Sequence, residues 1–176
     1  VLRNNGGNDL NVTANGAFTF TTPVANGAAF AVTVFTQPTT PSQTCVVTGG
    51  SGSIAGANVS NVAVVCTTNS YTVGGSVSGL AAGNNVVLRN NGGNDLNLAA
   101  NGAFTFSTAL LDQSAYLVTV FTQPATQTCV VTNGSGNLAG ANVTNVTVTC
   151  TTTTFTVGGT VAGLAAGNNV VLRNNG

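Results

Sequence analysis

The sequence predicts an all-β protein built of tandem β-sandwich repeats, and three observations carry that reading. The chain repeats itself almost verbatim at an offset of 84 to 86 residues. Apolar and polar residues alternate along short runs that Gly and Asn interrupt, which is the period of a half-buried strand. Two cysteines recur in each repeat at one fixed spacing.

The repeat comes first because it sets the domain organisation. Residues 1–23 match 87–109 at 19 of 23 positions, and residues 155–176 match 71–92 at 19 of 22. The offset falls from 86 to 84 where TQPTTPSQTC in one copy is TQPATQTC in the next. Three units follow: 1–68, a repeat without its first strand; 69–153, a complete repeat; and 154–176, the first strands of a third. The opening VLRNNG returns from Val171 as the last six residues. Such an overlap is expected of a window on one continuous repeating polypeptide, and strands donated between separate chains are the alternative.

In the complete repeat, strands are expected near 71–78, 85–90, 95–100, 103–108, 115–122, 128–133 and 143–150. Val, Thr and Phe fill these runs, and no stretch has helical periodicity. Seven short strands in about 85 residues suggest two packed sheets. A hairpin centred on Gly92 sets Leu88 opposite Leu96 and Val86 opposite Leu98 on one face, with Arg89 opposite Asp95 on the other. The same register pairs Arg3 with Asp9 and buries Leu2, Leu10, Leu88 and Leu96. The next turn, AANGA, reads as a three-residue hairpin loop with Gly102 left-handed, because that loop brings Phe104 and Phe106 to the face of Leu96 and Leu98. The two-residue indel lies at a loop tip and leaves the alternation intact.

Cys45 and Cys66 are 21 residues apart, as are Cys129 and Cys150. Cys129 is in phase with Val131, and Cys150 with Val146 and Val148, so both point to the buried side. One disulfide per repeat is expected, joining the last two strands; in the loop-entropy view it stabilises by about 3 kcal/mol. A metal site needs more ligands than two thiols, and there is no His. A pair of free buried thiols in a cytosolic protein is the bland alternative. Disulfides imply an extracellular or cell-surface location.

These residues resemble a family. YTVGGSVSGL, NNVVLRNN, ANGAFTFST and AYLVTVFT are similar to the opening strands of transthyretin-like, Cna-B-type and carboxypeptidase-regulatory-like (Ig-like) sandwiches of bacterial surface proteins. The resemblance covers about 55 residues of each repeat and implies fold more than function. The segment from Gln127 to Cys150 resembles repeats of long secreted bacterial proteins. Cna-B domains often carry an isopeptide bond between Lys and Asn or Asp beside a Glu. This chain has no Lys and no Glu, so the disulfide is expected to serve in its place.

Composition excludes several function classes. Three Arg and three Asp are the whole charge inventory, and the formal net charge is zero. Three Arg make no basic face for nucleic acid or for an anionic membrane. No apolar run reaches the ~20 residues that span a bilayer, and no signal peptide is visible. A neutral surface gives up the mutual repulsion that keeps most soluble domains apart.

The sequence offers no catalytic, cofactor or metal residues. There is no His, Lys or Glu to move protons, and Ser or Thr lacks a base. The turn GGNDLN offers Asn94, Asp95 and Asn97 as oxygen donors, but one carboxylate is thin for calcium, so turn chemistry is the preferred reading. Asn11, Asn58, Asn133, Asn142 and Asn145 head glycosylation sequons, although in a chain this rich in Asn and Thr chance supplies most of them.

Three functions remain. A structural filament or stalk is preferred, with self as partner, either head to tail or along one long chain. An adhesin or carbohydrate-binding module would need a surface or glycan ligand and exposed aromatics, for which Phe35 and Phe121 are the candidates. An ice- or surface-binding array would need a flat Thr grid, which a twisted sheet does not supply. The spare strand, 155–162, cannot turn back onto residues 1–68 of its own chain. Four linking residues reach at most about 14–18 Å, against roughly 20–35 Å for the intervening repeat.

Overall fold

A computed structural model describes residues 1–174 and places only strands, turns and loops among them. Residues 1–68 carry β1 (Leu2–Asn4), β2 (Asn8–Leu10), β3 (Ala29–Val34), β4 (Gln43–Thr48), β5 (Ser51–Ser53) and β6 (Ala63–Thr68). Residues 69–153 carry β7 (Ser70–Tyr71), β8 (Val73–Ser78), β9 (Val86–Asn90), β10 (Asn94–Leu98) and β11 (Gly102–Thr105). They continue with β12 (Leu110–Leu111), β13 (Ala115–Thr122), β14 (Gln127–Thr132), β15 (Ser135–Asn137) and β16 (Val143–Thr152).

In 69–153 one sheet has the order β10-β9-β13-β15 and a second β11-β8-β16-β14, with β7 and β12 forming a short extra pair. The arrangement is β-sandwich-like, because the two sheets share one core. Val73, Val77, Phe104, Val146 and Val148 enter it from the second sheet, and Val86, Leu88, Tyr116 and Val118 from the first. Alternation produces this: along β16 every second residue from Val146 to Cys150 is buried, and the Thr between them face outward.

β8 lies between β11, which is antiparallel to it, and β16, which is parallel to it. Gly75 makes that close approach feasible, since a Cβ there would overlap the backbone carbonyl of Val146.

The expected strands lie on β7 with β8, β9, β10, β11, β13, β14 and β16. The first is interrupted at Thr72, whose N–H donates to the side-chain oxygen of Asn142 instead. β12 and β15 were not anticipated, being too short to show a period. The hairpin register is Leu88 to Leu96, Val86 to Leu98 and Arg89 to Asp95. Leu2 and Leu88 are buried, but Leu10 and Leu96 are only half-buried, because β2 and β10 are edge strands.

The second expected hairpin is not one. β10 and β11 belong to different sheets, and residues 99–101 form a corner between them. Gly102 does take a positive φ, of 132°. All four apolar side chains reach the core, but from opposite sides. The corner is pinned by Asn101, whose side chain accepts from the N–H of Leu80 and donates to its carbonyl, both at 2.8 Å.

Residues 1–68 repeat half of this plan. The sheet β2-β1-β3-β5 is the counterpart of β10-β9-β13-β15, and the pair β4-β6 that of β14-β16. Counterparts of β8 and β11 are lacking. ANGAFTF occurs at 14–20 and at 100–106, yet only the second copy contributes a strand. The reason is tertiary, since β11 has one ladder partner, β8, and residues 1–68 contain no such strand. Residues 155–174, expected to begin a third repeat, are exposed and form no strand. The remainder of that expected unit, 175–176, lies outside the described residues.

Replacing Gly75 by Val is expected to destabilise 69–153 by about 1–3 kcal/mol or more, as overpacking does. Gly93→Ala, at a site where a Cβ meets nothing within 4 Å, is expected to stay within about 0.5 kcal/mol. Urea unfolding of the two variants checks both.

Candidate functional site

Five of the six charged side chains, all but Arg173, occupy built positions. The turn Asn5-Gly6-Gly7 returns the chain so that Arg3 faces Asp9, with Nε to Oδ1 at 2.5 Å and Nη2 to Oδ2 at 2.8 Å. Arg89 and Asp95 repeat this at 2.5 and 2.7 Å. Each guanidinium also lies 3.3 Å from a ring centroid, Arg3 over Phe35 and Arg89 over Phe121. Phe121 reaches that position through a bulge, where the pairing of β13 with β9 shifts between Val120 and Thr122. The bidentate bond from Arg holds the Asp9 and Asp95 carboxyls below the usual carboxylate range. The two outward aromatics are therefore capped by cations.

Cys45 bonds to Cys66 and Cys129 to Cys150, across directly opposed positions of β4-β6 and β14-β16. Cys129 and Cys150 are both buried. Cys66 is exposed, because no strand covers β6 on the side where β8 covers β16.

Asp112, which the sequence reading left without a role, joins the two repeats. Its carboxylate is buried and accepts the N–H of Ser42 at 2.6 Å and that of Gly140 at 2.8 Å. These bonds, that from Ser42 first, hold its carboxyl below the usual range. Its own N–H donates to the carbonyl of Asn69, and the hydroxyls of Ser42 and Tyr71 meet at 2.9 Å. One signal could have found it: Asp112 is the one Asp without an Arg six residues before it.

Residues 1–68 have an open edge. A groove of about 780 Å³ is lined by Leu2, Phe18, Val34, Val62, Val64 and Cys66, among others. In the complete repeat β8 fills this place, and Val146 and Val148 are wholly buried. Their counterparts, Val62 and Val64, are half-buried. The polar fixtures are duplicated too. Gln127 accepts the N–H of Ala81 and donates to the carbonyl of Gly79, gripping the turn after β8. Its counterpart Gln43 has no such turn to hold and donates to Thr68. Neither this grip nor the corner fixture Asn101 was singled out from sequence.

The other candidate residues stay apart. Asp95 is engaged by Arg89, and Asn97 accepts from Asn85, so the GGNDLN turn does not converge on a point. Among the described residues no group of three or more His, Cys, Asp or Glu gathers. The sequon residues Asn11, Asn58, Asn133, Asn142 and Asn145 are all exposed. The Asn133 amide nitrogen donates to the Asn145 carbonyl, and Asn142 caps Thr72.

Two outcomes follow. The folded pKa of Asp112 is depressed, so its stabilisation is complete above the unfolded value near 3.9 and is lost as pH falls through the lower folded value. Thermal unfolding from pH 7 to 2 is expected to be flat down to about pH 5 and to fall below about pH 4. Asp112→Asn is expected to flatten that fall, leaving the smaller part due to Asp9 and Asp95. Second, under limiting reductant in native buffer, the bond with exposed Cys66 is expected to open before Cys129–Cys150. Alkylation followed by peptide mass analysis reads the order. Compared with known proteins, the chain matches no family model, no curated protein and no solved structure.

Proposed function

We propose that this chain is part of an extracellular structural filament or stalk, built from tandem, disulfide-bonded, seven-stranded β-sandwich repeats of the Ig-like or transthyretin-like kind. The observation that carries this reading is the joint between 1–68 and 69–153. The edge strand of one repeat, β6, runs within a few residues into β8, a central strand of the next, and Asp112 bonds both sides. A chain joined this way passes from bead to bead through sheet backbone and not through a loose linker. The sequence from Phe155 repeats that from Tyr71, which supports the same joint at the far end.

The other features agree. Two disulfides suit an oxidising compartment outside the cell. A surface without net charge favours self-association over repulsion, and the partner is accordingly the chain itself. No catalytic role is assigned, because the sequence has no His, Lys or Glu. The adhesin or carbohydrate-binding reading needs free aromatic faces. Phe35 and Phe121, its two candidates, are 53% and 54% exposed but each carries a guanidinium over one ring face, so at most one face of each is free, which favours the structural reading.

Negative-stain microscopy of the native material is expected to show long fibres of uniform width with a regular axial bead. Dispersed monomers at the same concentration would overturn the proposal, and selective retention on a glycan array would favour the adhesin.

A further inference from the structure

We infer that the joint between 1–68 and 69–153 is a matched interface, in which the loop 39–42 fits a following repeat that carries Asn69, Tyr71 and Asp112. A joint without that set is a freer hinge. The inference rests on the filament reading for its use in an array, while the interface itself lies within this chain.

The loop is where the two repeats differ in length. Between Pro38 and Gln43 the first has TTPS, and between Pro124 and Gln127 the second has AT. The longer loop turns back on itself through a bridge between Thr39 and Ser42, and Ser42 meets the next repeat with each of its hydrogen-bonding groups. Its N–H donates to Oδ2 of Asp112 at 2.6 Å, and its hydroxyl meets that of Tyr71 at 2.9 Å. Its carbonyl accepts the N–H of Asn69 at 3.0 Å. Two residues on, the Thr44 hydroxyl donates to Oδ1 of Asn69 at 2.8 Å.

The receiving side is built to match. Asp112 follows β12, which pairs with β7 directly after the crossing, and its N–H donates to the carbonyl of Asn69 at 2.8 Å. One carboxylate oxygen accepts within its own repeat, from Gly140 at 2.8 Å, and the other reaches Ser42. Asn26, its counterpart, uses its one oxygen in the first way, on Gly56 at 2.8 Å. An amide at 112 that kept Gly140 would set its NH2 group against the Ser42 N–H, donor against donor. The second oxygen is thus the part of Asp112 that faces the neighbour.

After the second repeat the backbone bond is kept and the side chains around it change. The N–H of Thr153 donates to the carbonyl of Thr126 at 3.0 Å, repeating the bond from Asn69 to Ser42. Thr153 has no amide where Asn69 has one, and Phe155 keeps the ring of Tyr71 without its hydroxyl. The hydroxyl oxygen of Thr126 accepts from Asn84 of its own repeat at 3.2 Å. Short loop, missing amide and missing hydroxyl therefore occur together, as long loop, Asn69 and Tyr71 do. Motion between neighbouring domains is the default where few contacts oppose it, so the side chains that cross at Ser42 decide how stiff a joint is.

The test measures the joint in the whole chain, spin-labelled at Thr33→Cys and Thr147→Cys, exposed strand positions of the two repeats. The native cysteines are all bonded, so only the introduced thiols take the label. A single narrow distribution of label distances is expected. Asp112→Asn is expected to broaden it at least about twofold and to speed amide exchange at Ser42 at least about tenfold. Tyr71→Phe is expected to act in the same direction by a smaller factor. Amides of Gly140, Val146 and Val148 are expected to keep their protection, which separates a loosened joint from an unfolded repeat. Replacing 39–42 by Ala-Thr is expected to broaden the distribution equally, after which Asp112→Asn adds nothing, because its partner is gone. An equal effect of Asp112→Asn with either loop, or no broadening from either change, would overturn the inference. Dispersed native material whose joint depends on the loop in this way would sink the filament and keep the interface. Fibres from chains in which Asp112→Asn acts alike with either loop would do the reverse.

Discussion

The parallel pairing of β8 with β16 is the constraint on which the second sheet depends. It brings two backbones together at Gly75, supplies β11 with the one ladder it has, and closes the core over Val146 and Val148. The chain contains its own control. With β8 in place, GAFT is a strand and the disulfide beneath is sealed. Without it, the same four residues form no strand and Cys66 meets solvent. Intrinsic propensity is identical in the two copies, so the difference is entirely one of tertiary context.

Electrostatics in this protein is sparse and local. Two of the three Asp are spent on Arg partners in hairpins, where an exposed pair is worth little energy and mainly fixes register. The third sits buried between repeats, on backbone N–H groups and not on a cation. That choice of acceptor is strong where water is excluded, because both donors are rigid and both are satisfied. At the position equivalent to Asp112 the first repeat has Asn26, which accepts only the N–H of Gly56. The amide has lost the second oxygen that reaches the neighbouring bead.

Much of this was legible in the sequence, and the parts that were not share a cause. The hairpin from Val86 to Leu98 could be read because one register satisfies aliphatics and charges together. The disulfides could be read because each pair of Cys is in phase with its own strands. The corner at 99–101 could not, since alternation says which face is apolar but not which sheet carries it. In a sandwich both inner faces look the same from the sequence. Leu10 and Leu96 were over-buried in the reading because edge position is a property of the assembled sheet. Asp112, Gln127 and Asn101 act across 21 to 70 residues of chain, and no local pattern announces such partners.

The direction of the strands has a mechanical consequence. The polypeptide enters the complete repeat through the two-residue β7 and then β8, and leaves from the end of β16; β8 and β16 are parallel neighbours. Tension applied to the two ends therefore pulls β8 backward and β16 forward. The load falls on their whole row of hydrogen bonds at once, in shear, and no end of the ladder can be peeled open first. Behind that row the Cys129–Cys150 bond ties β14 to β16 covalently, a sequence separation of 21, so even a sheared bead cannot pay out the residues between them.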